Sequence, residues 1–258
     1  MKAANAELKG TWAEAGTAGT YSATYTANKA GSNLKASLKL GSVTAATPTP
    51  YAITAGTVTT ATLAADKATY VAGSPLILTV TLKDAQGNPA PGQAGTLTAE
   101  TVKAANAELK GTWAEAGTAG TYSATYTAKT AGTGLKASLK LGSTTAASGT
   151  YAITAGTVTA ATLTADKATY VAGGAITLTV ELKDAQGNLV PNQAGTLTAE
   201  TVKAANAELK GTWTETTPGT YSATYTAKTA GTGLKANLTL GSVTAATPTP
   251  YAITAGRR

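Results

Sequence analysis

Hydrophobic and polar residues alternate along much of the chain, and this alternation predicts β-strands. In the segment from residue 176 to 182, four apolar residues alternate with three polar ones: Ile176, Leu178, Val180 and Leu182 with Thr177, Thr179 and Glu181. A period of two places the apolar side chains on one face of a strand, which is the pattern of a half-buried strand. The same alternation recurs in the segments that begin at Leu8, Tyr21 and Leu34. No window of ten or more residues carries a helical stripe, so the chain is predicted to be all-β.

Short segments rich in Gly, Asn and Pro separate the predicted strands. They include residues 16–19, 31–33 and 84–89. Such residues favour turns because they adopt or preset the backbone angles that turns require. About seven short strands in every hundred residues, divided by turns, are typical of an antiparallel β-sandwich.

The strand pattern belongs to a sequence repeat with a period of about one hundred residues. The segment Lys-Ala-Ala-Asn-Ala-Glu-Leu-Lys-Gly-Thr-Trp begins at Lys2, Lys103 and Lys203. Two full copies cover residues 57–156 and 157–256, and residues 1–56 match only the second half of a copy. We call these the half copy (1–56), the middle copy (57–156) and the last copy (157–256). A period of this length predicts a whole domain per copy rather than a solenoid unit.

Two aromatic positions make the predicted sandwiches immunoglobulin-like. A Tyr follows a Gly-Thr turn at the start of a strand in each copy, which suits a tyrosine corner, and a Trp lies inward on an alternating strand. We expect each Trp to fill the core of its own domain, with exposed ligand platforms as the alternative. The predicted core residues are Trp12, Trp113, Trp213, Tyr21, Tyr122 and Tyr221. The fold class is therefore predicted to be tandem immunoglobulin-like antiparallel β-sandwiches.

The amino-acid composition excludes several kinds of catalytic and metal-binding site. The chain contains no Cys and no His, which excludes disulfides, thiol nucleophiles, His-dependent triads and the commonest metal ligands. The net charge is +7, but the charges are dispersed and the longest basic run is Arg257-Arg258, so no nucleic-acid partner is predicted. No apolar run is long enough to span a membrane, and no apolar signal segment follows Met1. We therefore expect no membrane insertion by this segment, and no cofactor.

The remaining candidates for chemistry are carboxylates and lysines. Each aspartate stands next to a Lys, and we interpret Asp84 and Asp184 as capping their own turns, with a calcium site as the alternative. Five glutamates occupy outward strand positions without flanking aromatics, and we expect no catalytic pair among them: Glu7, Glu108, Glu208, Glu100 and Glu200. A Lys–Asn isopeptide bond stays a further alternative, although the lysines alternate outward. The chain is predicted not to be an enzyme and to hold no metal.

Three segments of the middle copy carry a family resemblance. Residues 65–73, 78–89 and 120–128, which include Asp-Ala-Gln-Gly-Asn-Pro and Gly-Thr-Tyr, resemble bacterial Ig-like domains of the invasin and intimin type. The likeness extends over essentially the whole chain. It implies stalk modules of an adhesin at the bacterial cell surface, anchored in the outer membrane through regions outside this sequence. It also implies that a host receptor is bound by a tip domain that this sequence does not contain.

Three roles remain open for such a chain. The leading hypothesis is a structural spacer, because near-identical copies and the short connection at residues 151–163 favour a stiff rod. The alternatives are a self-assembling fibre subunit completed by intermolecular strand exchange, and a module that binds a receptor or glycan. The half copy would expose an apolar face and unpaired strand edges, so we expect another chain to complete it, giving a homo-oligomer.

Overall fold

A computed structural model describes residues 1–256, and its regular elements are β-strands with two short 3₁₀ helices. The half copy contains β1 (Lys2–Ala3), β2 (Ala6–Glu14), β3 (Tyr21–Ala27), β4 (Gly31–Leu34), β5 (Ala36–Leu40), β6 (Val43–Ala46) and β7 (Tyr51–Ile53). The middle copy contains β8 (Thr60–Ala65), β9 (Thr69–Val71), β10 (Pro75–Lys83), η1 (Ala94–Thr96), β11 (Val102–Ala104), β12 (Ala107–Glu115), β13 (Thr121–Ala128), β14 (Gly132–Leu135), β15 (Ala137–Leu141), β16 (Thr144–Ala147) and β17 (Tyr151–Thr154). The last copy contains β18 (Ala160–Ala165), β19 (Thr169–Val171), β20 (Ala175–Lys183), η2 (Ala194–Thr196), β21 (Val202–Ala204), β22 (Ala207–Thr217), β23 (Thr220–Ala227), β24 (Gly231–Leu234), β25 (Ala236–Leu240), β26 (Val243–Ala246) and β27 (Tyr251–Thr254). Arg257-Arg258, the basic run noted in the sequence, lies outside the described residues.

Each full copy is a sandwich of two strand layers. In the middle copy one layer has the order β12-β13-β10-β8, and the other consists of β11-β15-β16 and β14-β17-β9. The last copy repeats this order with β22-β23-β20-β18 facing β21-β25-β26 and β24-β27-β19. The all-β fold class predicted from the alternation is confirmed.

The core lies between the layers and follows the period-two pattern. Four apolar side chains of β10 are fully buried, and their counterparts on β20 are buried as well: Leu76, Leu78, Val80 and Leu82, then Ile176, Leu178, Val180 and Leu182. Burying a side chain of this size contributes about 1.5–3 kcal/mol. Between the copies, the exposed Ile77 becomes Thr177, which costs no core contact. The two copies have separate clusters of buried residues.

One strand pair in each full copy is parallel. β9 runs beside β17 in the same direction, with Thr69 opposite Ala152 and Val71 opposite Thr154. The amide of Ala152 donates to the Ala68 carbonyl at 2.9 Å, and the amide of Ala72 donates to the Thr154 carbonyl at 2.8 Å. β19 and β27 form the same pair in the last copy. The strand near the start of each copy is therefore hydrogen-bonded to the strand at its end.

The tyrosine hydroxyls reach further along the chain than a tyrosine corner requires. Tyr122 donates to the carbonyl of Ala90, 32 residues earlier, at 2.6 Å, and accepts from the Gln93 amide at 3.0 Å. Tyr221 makes the same bonds to Val190 and Gln193. Instead of closing a local corner, each side chain holds the long connection between β10 and β11, or between β20 and β21, against the four-stranded layer.

The half copy departs from the expectation for its aromatic residues. Trp113 and Trp213 are 4% exposed and Tyr122 is 0% exposed, but Trp12 is 38% and Tyr21 is 60% exposed. The prediction that Trp12 and Tyr21 fill a core is therefore wrong for this structure. The reason is that no described strand covers them as β8, β9 and β10 cover their counterparts. Trp12 nevertheless keeps the edge-to-face contact with Tyr25 that Trp113 makes with Tyr126, with ring centroids 6.4 Å apart in both.

Candidate functional site

The residues that bring neighbouring copies together lie in the turns after β10 and β20. In the first of these turns the amide of Asp84 donates to the Asn88 carbonyl at 3.0 Å, and the amide of Gly87 donates to the Asp84 carbonyl at 3.1 Å. Gly87 has a φ of +81°, a conformation that glycine adopts without strain. The turn thus directs the side chains of Asp84 and Asn88 toward the preceding copy.

The carboxylate of Asp84 holds its own turn and the neighbouring copy together. Oδ1 accepts from the amides of Gln86 at 2.9 Å and Asn88 at 2.8 Å, as the capping interpretation predicts. Oδ2 accepts from the Asn88 side-chain amide at 2.9 Å and from the amide of Gly56, at the end of the half copy, also at 2.9 Å. All four bonds use a carboxylate that is buried, where charge-assisted hydrogen bonds are strong.

The side-chain amide of Asn88 makes the other two contacts across this joint. Its Nδ2 donates to the Asn28 carbonyl at 2.9 Å, and its Oδ1 accepts from the Ala30 amide at 2.9 Å. Asn28 and Ala30 belong to the turn between β3 and β4. A single buried amide group therefore satisfies one donor and one acceptor of the preceding copy.

The second joint repeats this arrangement. Oδ2 of Asp184 accepts from the Gly156 amide at 2.8 Å. Asn188 donates to the Lys129 carbonyl at 2.8 Å and accepts from the Ala131 amide at 2.9 Å. We call the Asp and Asn side chains, with the three backbone groups that they bind, the joint cluster. Its repetition shows that the same three bonds set the relation of each copy to the one before it.

Hydrogen bonding shifts the acidity of both aspartates. The amide of Gly56 is the largest cause that lowers the pKa of Asp84, from 3.8 to about 2, with Asn88 contributing next. Burial raises the pKa of Asp184, but the amide of Gly156 and both nitrogens of Asn188 outweigh it, so this pKa also lies below its usual value. The ionised form is therefore the one that each joint binds.

Acid is expected to open the first joint only below the ordinary titration range of aspartate. Because the pKa of Asp84 is lower in the folded protein, its stabilising contribution is complete above pH 3.8 and is lost as the pH falls toward about 2. The NMR shift of the Gly56 amide should stay constant from pH 7 to about 4 and change with a midpoint near 2. The Asp84→Asn variant, which cannot ionise there, should show no such transition. A Gly56 midpoint near 4 would contradict the assigned contact.

Four of the five glutamate candidates form exposed ion pairs, and Glu7 instead accepts from the Asn28 side chain at 3.4 Å. Glu108 lies 3.4 Å from Lys129, and Glu100 lies 3.8 Å from Lys103. Pairs of this exposure contribute between about 0 and 1 kcal/mol. Among residues 1–256, no group of three or more carboxylates, His or Cys is placed to hold a metal ion. In the same range, no helix is long and apolar enough to cross a membrane.

The comparisons with known proteins concern the fold. No protein-family model matches the sequence, and no curated protein sequence matches it either. Among solved structures, the bacterial integrin-binding protein invasin matches 92% of this chain at 19% identity with a TM-score of 0.50. The Escherichia coli adhesin FdeC matches all of this chain and 87% of its own at 22% identity and a TM-score of 0.47. The Yersinia pseudotuberculosis adhesin InvE matches 74% of this chain and 58% of its own at 23% identity and a TM-score of 0.36.

At 19% identity the likeness to invasin concerns the fold alone. This chain spans 48% of the invasin chain. The likeness agrees with the resemblance seen in residues 65–73, 78–89 and 120–128. The fold of this chain is therefore that of the bacterial Ig-like domains found in adhesins such as invasin.

Proposed function

We propose that this chain is a structural spacer in the stalk of a bacterial cell-surface adhesin, without enzymatic activity. The observation that carries the proposal is the joint cluster, which occurs twice with the same Asp and Asn side chains binding equivalent backbone groups at 2.8–2.9 Å. A spacer needs a fixed relation between successive domains more than it needs a binding site. The fold shared with invasin, a bacterial integrin-binding protein, supports a place at the cell surface.

The joint cluster resists bending because its three bonds reach separate points of the preceding copy. One bond holds the end of the last strand at Gly156, and two hold the turn at Lys129 and Ala131. The connection is also short, since only residues 155–159 separate β17 from β18. A short connection leaves few conformations in which the bonds are broken but the copies remain close.

The remaining parts of the proposal concern regions beyond this chain. The resemblance implies an outer-membrane anchor and a distal tip domain that binds a host receptor. In this proposal the two full copies hold such a tip away from the membrane and take no part in recognition.

Breaking one joint should make the molecule bend there. In the Asn188→Ala variant, the half-buried Ala131 amide and Lys129 carbonyl lose their partner, at a cost below that of a fully buried unpaired group, which is about 1–3 kcal/mol. Solution scattering should show a stiff, extended wild-type chain and a broader distribution of maximum dimensions for the variant. The Asn237→Ala variant removes an exposed Asn from β25 and should scatter like the wild type.

Two results would count against the spacer. One is wild-type scattering typical of beads on a flexible string, with no change in Asn188→Ala. The other is saturable binding of this chain to a purified receptor or to a glycan array, which would favour the binding-module alternative.

A further inference from the structure

The half copy presents an apolar face whose equivalent residues in both full copies are buried or half-buried. We call it the open face and define it by Leu8, Trp12, Tyr21, Leu40 and Val43, all of which are exposed. The exposed fraction reaches 71% for Leu40. A groove of about 470 Å³ between Trp12, Tyr21 and Leu40 forms part of this face. An exposed set of large apolar side chains of this kind indicates an interaction surface.

The middle copy shows what covers such a face. There β10 pairs with β13 over seven residue pairs, from Pro75 opposite Thr127 to Thr81 opposite Thr121. The sequence of β3, Tyr-Ser-Ala-Thr-Tyr-Thr-Ala, is identical to residues 122–128 of β13. In the half copy β3 pairs only with β2, so its other edge has backbone groups without a strand partner within the described residues.

The second layer has a matching free edge. β9 pairs in parallel with β17 in the middle copy, and the Tyr-Ala-Ile of residues 151–153 recurs at residues 51–53 in β7. Within the described chain β7 pairs only with β4. The half copy therefore offers one edge for an antiparallel strand and one for a parallel strand, on either side of the same apolar face.

We propose that the open face is a docking site for a polypeptide segment with the sequence of the first half of the repeat, residues 57–101. Such a segment adds a strand antiparallel to β3 and a second strand parallel to β7, joined by the Ala72-Gly73-Ser74 turn. The register of the middle copy places the residue equivalent to Leu78 opposite Ala23 and the one equivalent to Val80 opposite Tyr21. Recognition combines backbone hydrogen bonds at the edges with alternate side chains in the groove.

A folded second copy of this chain does not supply that segment. The first halves of its two full copies are already folded and are not free to bind elsewhere. Leu76 and Val80 of β10, like Ile176 of β20, are fully buried within their own copies. Releasing them would expose a complete core, and each large side chain so exposed costs about 1.5–3 kcal/mol. The partner is therefore a first-half segment that is not already folded against a second half. This inference does not depend on the spacer role.

The test adds a synthetic polypeptide of residues 57–101 to the full chain and follows the three indole N–H signals by NMR. We expect saturable 1:1 binding that moves the Trp12 signal and leaves those of Trp113 and Trp213 in place. Amides of β3 should also become protected from hydrogen exchange. The matched control is the same polypeptide with Leu78→Asp and Val80→Asp, which should bind at least tenfold more weakly because it places two charges against the open face.

Three results would overturn the proposal. They are no saturable binding, equal binding of the control polypeptide, and movement of the Trp113 signal, which would show exchange into the middle copy instead. Sedimentation of the chain alone provides the remaining comparison. If it forms a dimer that shifts the Trp12 signal without added polypeptide, a second copy covers the open face and the proposed partner is wrong.

Discussion

Replacing Trp113 with alanine is expected to destabilise the middle copy by about 3–5 kcal/mol, the usual cost of removing a buried Trp. Its side chain is 4% exposed and packs edge-to-face on Tyr126 at an interplanar angle of 70°. Such aromatic pairs add about 0.5–1.5 kcal/mol beyond the area that they bury. Urea unfolding followed by the far-ultraviolet circular dichroism of the full chain would measure the change.

The half copy provides the matched control for this substitution. Trp12 occupies the same position of the repeat and makes the same contact with Tyr25, but it is 38% exposed. Its replacement by alanine should therefore cost no more than about 1 kcal/mol, close to the range for surface substitutions. Equal losses at the two positions would mean that Trp12 is buried in solution, and the structure of the half copy would then need revision.

Replacing Gly120 with alanine is expected to have the second-largest effect. Gly120 has a φ of +73°, and a Cβ built there lies 2.8 Å from the Ala90 nitrogen and 2.9 Å from the Leu82 oxygen. Left-handed backbone costs an alanine about 1–2 kcal/mol. Forcing backbone atoms apart in a packed region adds about 1–3 kcal/mol. The melting transition of the middle copy, measured by calorimetry, should fall accordingly.

Gly19→Ala is the control that separates the cost of left-handed backbone from the cost of steric clash. It stands at the same position of the repeat with a φ of +82°, yet a Cβ there meets nothing within 4 Å. Gly19→Ala should therefore lose only the stability that the left-handed backbone costs, with no added steric term. If Gly120→Ala proves no worse than Gly19→Ala, the close approach of β13 to the connection after β10 is not present in solution.

The alternation of apolar and polar residues predicted the strands and their inward faces, because both depend only on residues close together in the sequence. Leu76 and Val80 lie on the buried face of β10 and Ile77 on the exposed face, as the differences between copies indicate. The parallel pairing of β9 with β17 could not be predicted in this way. It joins residues more than 80 positions apart, and nothing in either short strand specifies its partner.

The joint cluster was only partly predictable. That Asp84 caps its own turn follows from the turn residues, but its bond to Gly56 spans 28 positions and that of Asn88 to Ala30 spans 58. One signal was present: Asp and Asn recur four residues apart in both full copies, while the residue after them changes from Pro89 to Leu189. Because the Asn side chain also bonds the Asp carboxylate within the turn, this recurrence alone does not reveal the contact with the preceding copy.

The parallel pair also determines how a full copy carries a load. The chain enters a full copy at β8, which pairs with β10, and leaves it after β17, so tension along the chain loads β8 first and, through it, pulls β9 against β17 along their common axis. The bonds from Ala152 to Ala68 and from Ala72 to Thr154 are then sheared together instead of being peeled apart one after another. We therefore expect extension to break them together, so that each full copy yields to force as a unit.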